Sequence, residues 1–250
     1  MRCVSWARHA FNGRDWLAKE RVWSLMGFAC KVPSEPGWWE NAVTFRLEGR
    51  GLGCERDDRW LFANLDLAVG PGEMLRVEGP NGSGKTTLLK ILSGQLSEHD
   101  GELLWSGKPM RRNRTAFLAN LLYLGHAPGV KSALSPLENL AWYQALNGEH
   151  GSEASRMAAL DEIGLYGFED VPVAQLSAGQ QRRVALARML LSPRPLWVLD
   201  EPFTAIDRQG VAALETRLQT HVARGGSVIL TTHHELTPLP ALRRVSLGVS

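Results

Sequence analysis

Gly79-Pro80-Asn81-Gly82-Ser83-Gly84-Lys85-Thr86 is a complete G-x-x-x-x-G-K-[ST] stretch, and it decides how the rest of the chain reads. Its glycines let the backbone curl so that successive N–H groups face the β- and γ-phosphates of a nucleotide. Lys85 adds a point charge to those phosphates, and the Thr86 hydroxyl is placed for Mg²⁺. Met74 to Glu78 precedes the loop as a short apolar strand. Thr86 to Leu92 follows as a helix closed by Gly94. The positive end of that helix dipole would point at the same phosphates. The expected nucleotide contacts are therefore Gly79, Pro80, Asn81, Gly82, Ser83, Gly84, Lys85, Thr86 and Thr87.

Further along, the apolar run Leu196 to Leu199 ends in Asp200-Glu201-Pro202. A strand that is apolar throughout suits the middle of a parallel sheet, buried on both faces. A carboxylate at its end, beside the phosphate loop, is placed to hold Mg²⁺, which is the role expected of Asp200. Glu201, one residue on, can reach an attacking water as general base. Val228 to Leu230 and Leu121 to Leu124 are similar apolar runs, whereas Leu65, Leu67 and Val69 alternate with polar residues like a half-buried strand. Residues 134 to about 170 read as mainly helical, broken at Gly148, Gly151 and Gly164. Strands alternating with helices predict an α/β fold with an open, mostly parallel central sheet.

Ser177-Ala178-Gly179-Gln180 begins another helix, because Ser177 and Gln180 have capping-box spacing. Val184, Ala185, Leu186, Ala187 and Leu190 give that helix an apolar side. With Leu176 before it, the stretch resembles the signature motif of the ABC-family ATPases, in which this helix end clamps the γ-phosphate held by the opposite subunit. Ala178 stands where the family usually has glycine. An ordinary φ there would make the change harmless. Thr204-Ala205-Ile206-Asp207 resembles the family's dimer-contact loop, which makes Asp207 a contact residue. Thr232-His233 resembles its switch histidine, which hydrogen-bonds the γ-phosphate, with His234 the lesser candidate of the pair.

The motifs occur in the family's order over residues 45 to 250. The resemblance implies a P-loop NTPase of the ABC ATPase type, with an antiparallel β edge and a helical subdomain at about 127–190. It also implies ATP and Mg²⁺ as ligands, a homodimer with two shared sites, and catalytic roles for Lys85, Glu201 and His233.

Two positions depart from the family pattern. His126 stands where a glutamine usually contacts Mg²⁺ and senses the membrane partner. Mg²⁺ prefers oxygen ligands, so His126 is expected to act through water or through a coupling interface. Arg56 stands near where an aromatic residue usually stacks on adenine, and its guanidinium plane could take that role. Trp60 is the rival, and a solvated charge cluster is the plainer alternative. With Cys54-Glu55-Arg56, Gly125-His126, Gly129, Lys131 and Glu138-Asn139-Leu140, the chain is similar to the branch of the family that serves bacterial cytochrome c maturation. That branch implies a CcmB-like integral membrane subunit and other maturation proteins as partners. It further implies a place on the cytoplasmic face of the inner membrane, and ATP hydrolysis coupled to heme export or heme-chaperone release. Two rivals remain: a transporter ATPase for another substrate, and a non-transport ABC ATPase. The second is disfavoured because the stretch between His126 and Leu176 is too short for a long coiled-coil insertion.

Composition fits this picture. The 250 residues and 44% hydrophobic content suit one α/β domain with a small subdomain, and a net charge of +2 makes no case for nucleic acid. Three scattered cysteines match no metal or redox pattern and suit a reducing compartment. No stretch has the roughly 20 apolar residues of a membrane span. Residues 1–42 read differently: they hold five of the nine tryptophans and no chemical motif. They are expected to be an extension outside the family domain, with the true start near Val43, or a partner-binding arm.

Overall fold

The structure is a computed structural model that describes residues 45–236 and 242–248. The expected N-terminal extension, 1–42, lies outside the described residues. Strands β1 (Leu47–Arg56), β2 (Arg59–Val69), β4 (Asp100–Trp105) and β5 (Lys108–Pro109) form an antiparallel sheet in the order β2-β1-β4-β5. Strands β3 (Met74–Glu78), β6 (Leu121–Leu124), β7 (Leu196–Asp200), β8 (Ser227–Thr231) and β9 (Leu242–Ser246) form a parallel sheet in the order β6-β7-β8-β3-β9. The antiparallel strands expected at an edge thus make a sheet of their own.

Every residue of β7 and β8 is buried, because the parallel sheet is covered on both faces. Side chains alternate between those faces. Leu196, Val198 and Ile229 enter one core with helix α1 (Lys85–Leu92), helix α2 (Arg114–Ala119) and the antiparallel sheet. In that core Trp105 stacks on Phe45 at 5.2 Å and meets Phe117 edge-on at 5.3 Å. Trp197, Leu199, Val228 and Leu230 enter the opposite core with helix α6 (Arg208–Ala223).

Helices α3 (Pro136–Leu146), α4 (Glu153–Glu162) and α5 (Ala178–Leu191) enclose a further core of Leu140, Leu160, Val184 and Ala187. Leu186 and Met189 of α5 belong instead to the sheet core. Helix α5 is therefore apolar on two sides and ties the helical layer to the sheet. Its start is the expected capping box: Ser177 N–H donates to Gln180 Oε1 at 2.9 Å, and Gln180 N–H donates to Ser177 Oγ at 3.3 Å. Ala178 begins the helix and is not among the positive-φ residues, so the missing glycine brings no strain. Helix α3 starts the same way on Ser135 and Glu138. Buried Asn139 then braces the preceding loop, bonding both the N–H and the C=O of Lys131 at 2.7 and 3.0 Å.

His221 of α6 lies flat on Trp197, ring centroids 3.6 Å apart, and its Nε2–H donates to Pro195 O at 3.0 Å. Burial pushes its pKa down to about 4. The unfolded chain therefore takes up a proton near pH 6.5 that the folded chain refuses until about pH 4, so stability falls as pH drops through that window. His221→Phe, which keeps the stack without titrating, is expected to remove about 3 kcal/mol of acid destabilisation between pH 7 and 4. Denaturant melts of both proteins across that range measure it; equal pH slopes would refute the assignment.

Candidate functional site

The carboxyl ends of β3, β7 and β8 lie side by side, since Leu199 pairs with Leu230 and Leu75 with Ile229. Ligands of open α/β sheets bind outside such ends. The chain turns from β3 into α1 through the glycine loop, where Gly79, Gly82 and Gly84 have φ of 147, 82 and 94°. A Cβ on Gly79 would meet Ser83 Oγ at 2.6 Å and Leu247 O at 2.7 Å, so neither its conformation nor its surroundings admit another residue. Lys85 Nζ donates to Gly79 O at 2.7 Å and Pro80 O at 3.0 Å, which holds the ammonium at the mouth of the loop.

A cavity of about 510 Å³ opens beside this loop, lined by Arg56, Lys85, Thr86, His126, Glu201 and His233 among others. Asn81, Gly82, Gly84, Thr87 and Asp200 also face it. Segments far apart in sequence thus converge on one cleft. Gly79 lines a neighbouring cavity of about 590 Å³, which shares Lys85 and His233 with the first. Ser177, Ala178, Gly179, Gln180 and Asp207 line neither cavity. They gather elsewhere: a Cβ on Gly179 would lie 3.0 Å from Ala205 O. Asp207 caps α6 through Gly210 N–H at 2.8 Å and pairs with Arg183. The Gly210 N–H and then Arg183 hold its carboxyl below the usual range.

Asp200 is only 1% exposed. Its Oδ1 accepts from Thr231 Oγ1 at 2.7 Å, while Oδ2 is buried with no hydrogen-bond partner among the described residues. A buried carboxylate oxygen left bare is costly unless a cation meets it. Glu201 adopts a left-handed φ of 49°, uncommon away from glycine and a mark of positions fixed by their surroundings. Its N–H donates to Thr231 Oγ1 at 2.9 Å, and its Oε1 is buried without a hydrogen bond among the described residues. His233 Nε2 stands 3.7 Å from that oxygen, and its side chain is 68% exposed. The adjacent His234 turns away, to Glu215 at 3.2 Å and Phe203.

Thr231 is a site residue that sequence reading misses. It serves both carboxylate residues because it pairs with Asp200 across β7 and β8, a register no local pattern announces. Near Arg56, Trp60 is 50% exposed and lies over Gly53 rather than along the cleft.

Residues 62–204 match the ABC transporter family. A cytochrome c biogenesis ATP-binding export protein CcmA from Pseudomonas putida is 53% identical over 207 residues, spanning 82% of this chain and 98% of that protein. Its namesake from Yersinia pestis is 54% identical over 190 residues, spanning 76% and 87%. A solved putative ABC transporter ATP-binding protein from Pyrococcus furiosus superposes with a TM-score of 0.69 at 28% identity, covering 80% of this chain and 96% of its own. The chain belongs to the ABC transporter family, in its branch of cytochrome c biogenesis ATP-binding export proteins.

Proposed function

We propose that the chain is the ATP-hydrolysing subunit of an ABC transporter complex needed for c-type cytochrome biogenesis. The observation that carries this is the convergence of Lys85, Thr86, Asp200, Glu201 and His233 on one cleft. The identity of more than half to the biogenesis proteins supports the cellular role. Loop N–H groups and Lys85 bind the nucleotide's phosphates. Glu201 takes the proton of the attacking water, and His233, 3.7 Å from the Glu201 carboxylate, hydrogen-bonds the terminal phosphate and helps orient that water. The bare Oδ2 of Asp200 and the Thr86 hydroxyl are oxygen donors that fit Mg²⁺. The ion would neutralise phosphate charge. Arg56 lies at the cleft's edge, where its guanidinium can stack on the base.

Ser177 and Gly179 stand outside this cleft, which suits a site completed by the signature helix of a second copy. ATP then closes the dimer because both halves grip its terminal phosphate, and hydrolysis releases them. The motion passes through the His126 loop and helices α3 and α4 to a CcmB-like membrane subunit, coupling hydrolysis to heme export or heme-chaperone release. No helix among the described residues is long and apolar enough to cross a membrane. The similarity to ATP-binding export proteins supports a peripheral place on the cytoplasmic face of the inner membrane.

Glu201→Gln is expected to lower kcat about 10²- to 10⁴-fold while retaining ATP and trapping the dimer. It should also fail to restore c-type cytochromes to a strain lacking the gene, where the wild type succeeds; turnover near wild type would remove the general base. Arg56→Ala should weaken ATP binding by about 0.5–2 kcal/mol with kcat kept, and Trp60→Ala should not, as fluorescence titration can show. His126→Ala should lower ATPase activity in the membrane complex, and an unchanged rate would remove its coupling role.

A further inference from the structure

Arg182 lies on α5, five residues beyond Ser177, and is 5% exposed. It faces none of the nucleotide cleft, and no carboxylate pairs with it among the described ion pairs. Its two terminal nitrogens bond only backbone, while Nε is buried without a hydrogen-bond partner among the described residues. Nη1 donates to Gly125 O at 2.7 Å and to His126 O at 3.2 Å. Nη2 donates to Asp200 O and Glu201 O, each at 2.9 Å. One side chain thus joins the signature helix, the loop after β6 and the end of β7.

The bonds fall at the points that decide where the Glu201 carboxylate stands. The peptide between Asp200 and Glu201 is held at its oxygen by Arg182 and at its N–H by Thr231. The next peptide is held at its oxygen by Arg182 again. With both flanking peptides fixed, the left-handed backbone of Glu201 cannot relax toward an ordinary φ. Burial lowers the pKa of Arg182, while Asp200 and then Glu201 oppose that effect. Keeping a charge in so dry a place is costly. A planar fork that meets two pairs of carbonyls at once is something lysine or glutamine cannot supply.

We propose that Arg182 is a positioning residue that clamps the backbone of Glu201 and of the His126 loop to the signature helix, so that a shift of α5 moves the catalytic carboxylate directly. This rests on Glu201 being the general base. The test compares Arg182→Gln and Arg182→Lys in the full chain with its membrane complex, reading kcat, KM for ATP and binding of a fluorescent ATP analogue. Arg182→Gln should lower kcat about 10- to 100-fold, the size of effect that a small misplacement produces. KM and analogue affinity should stay within about threefold, because ground-state binding is untouched. Arg182→Lys should recover part of the rate, since the ammonium reaches one carbonyl pair. In a Glu201→Gln background, Arg182→Gln should add no further loss. Wild-type kcat in Arg182→Gln beside an inactive Glu201→Gln overturns the proposal alone. Loss of nucleotide binding together with turnover in both Arg182 variants also overturns it, by making Arg182 a residue of the fold. Turnover in Glu201→Gln removes the general base and the proposal with it.

Discussion

Asp200 places a carboxyl group at the end of a strand whose other residues, Leu196 to Leu199, are all buried and apolar. A carboxylate taken out of water is tolerated only where hydrogen bonds and opposite charge replace the lost hydration. Thr231 supplies a hydroxyl to one oxygen; the other is buried without a hydrogen-bond partner among the described residues, and Asp200 lines a cleft together with Lys85 and Thr86. The strand end, the glycine loop and the strand beside them must therefore arrive together. The parallel order β7-β8-β3 brings them there.

Around that constraint the two layers divide the work. The sheet and α1 fix the phosphate side of the site, with Leu88, Leu89, Ile91 and Leu92 fully buried beneath the loop. A helix anchored so firmly cannot drift from the strand that feeds it. The helical layer has its own core, joined to the sheet through α5, whose Val184 and Ala187 face one core and Leu186 and Met189 the other. A rigid element with a face in each core carries displacement between them better than a loop would. Arg182 stands on that element, with the shared backbone carbonyls at its tip.

Much of this was legible from single stretches. The glycine loop announces itself because a tight turn against phosphate admits few residue types. The runs Leu196–Leu199 and Val228–Leu230 read as central strands because burial on both faces leaves no room for polar residues. The capping box at Ser177 and Gln180 is a local bonding pattern and was readable for that reason. Thr231 and Arg182 were not readable. Each acts on residues distant in the chain, through a register or a reach that no short-range periodicity encodes. Arg182 in sequence is one of two adjacent arginines, and only packing sends it inward while its neighbour Arg183 turns to Asp207.

The phosphate loop, the strand-end carboxylates, the capped signature helix and their order are all written in the amino-acid sequence. These are local matters, set by backbone freedom, apolar periodicity and hydrogen bonds within a few residues. Which side chains share a cleft is a matter of folding in three dimensions: His233 faces it and His234 does not, Arg56 borders it and Trp60 lies elsewhere, and the signature residues stand apart from it. Strand order, register and helix packing set these distances, and they follow from the burial of the whole apolar surface at once.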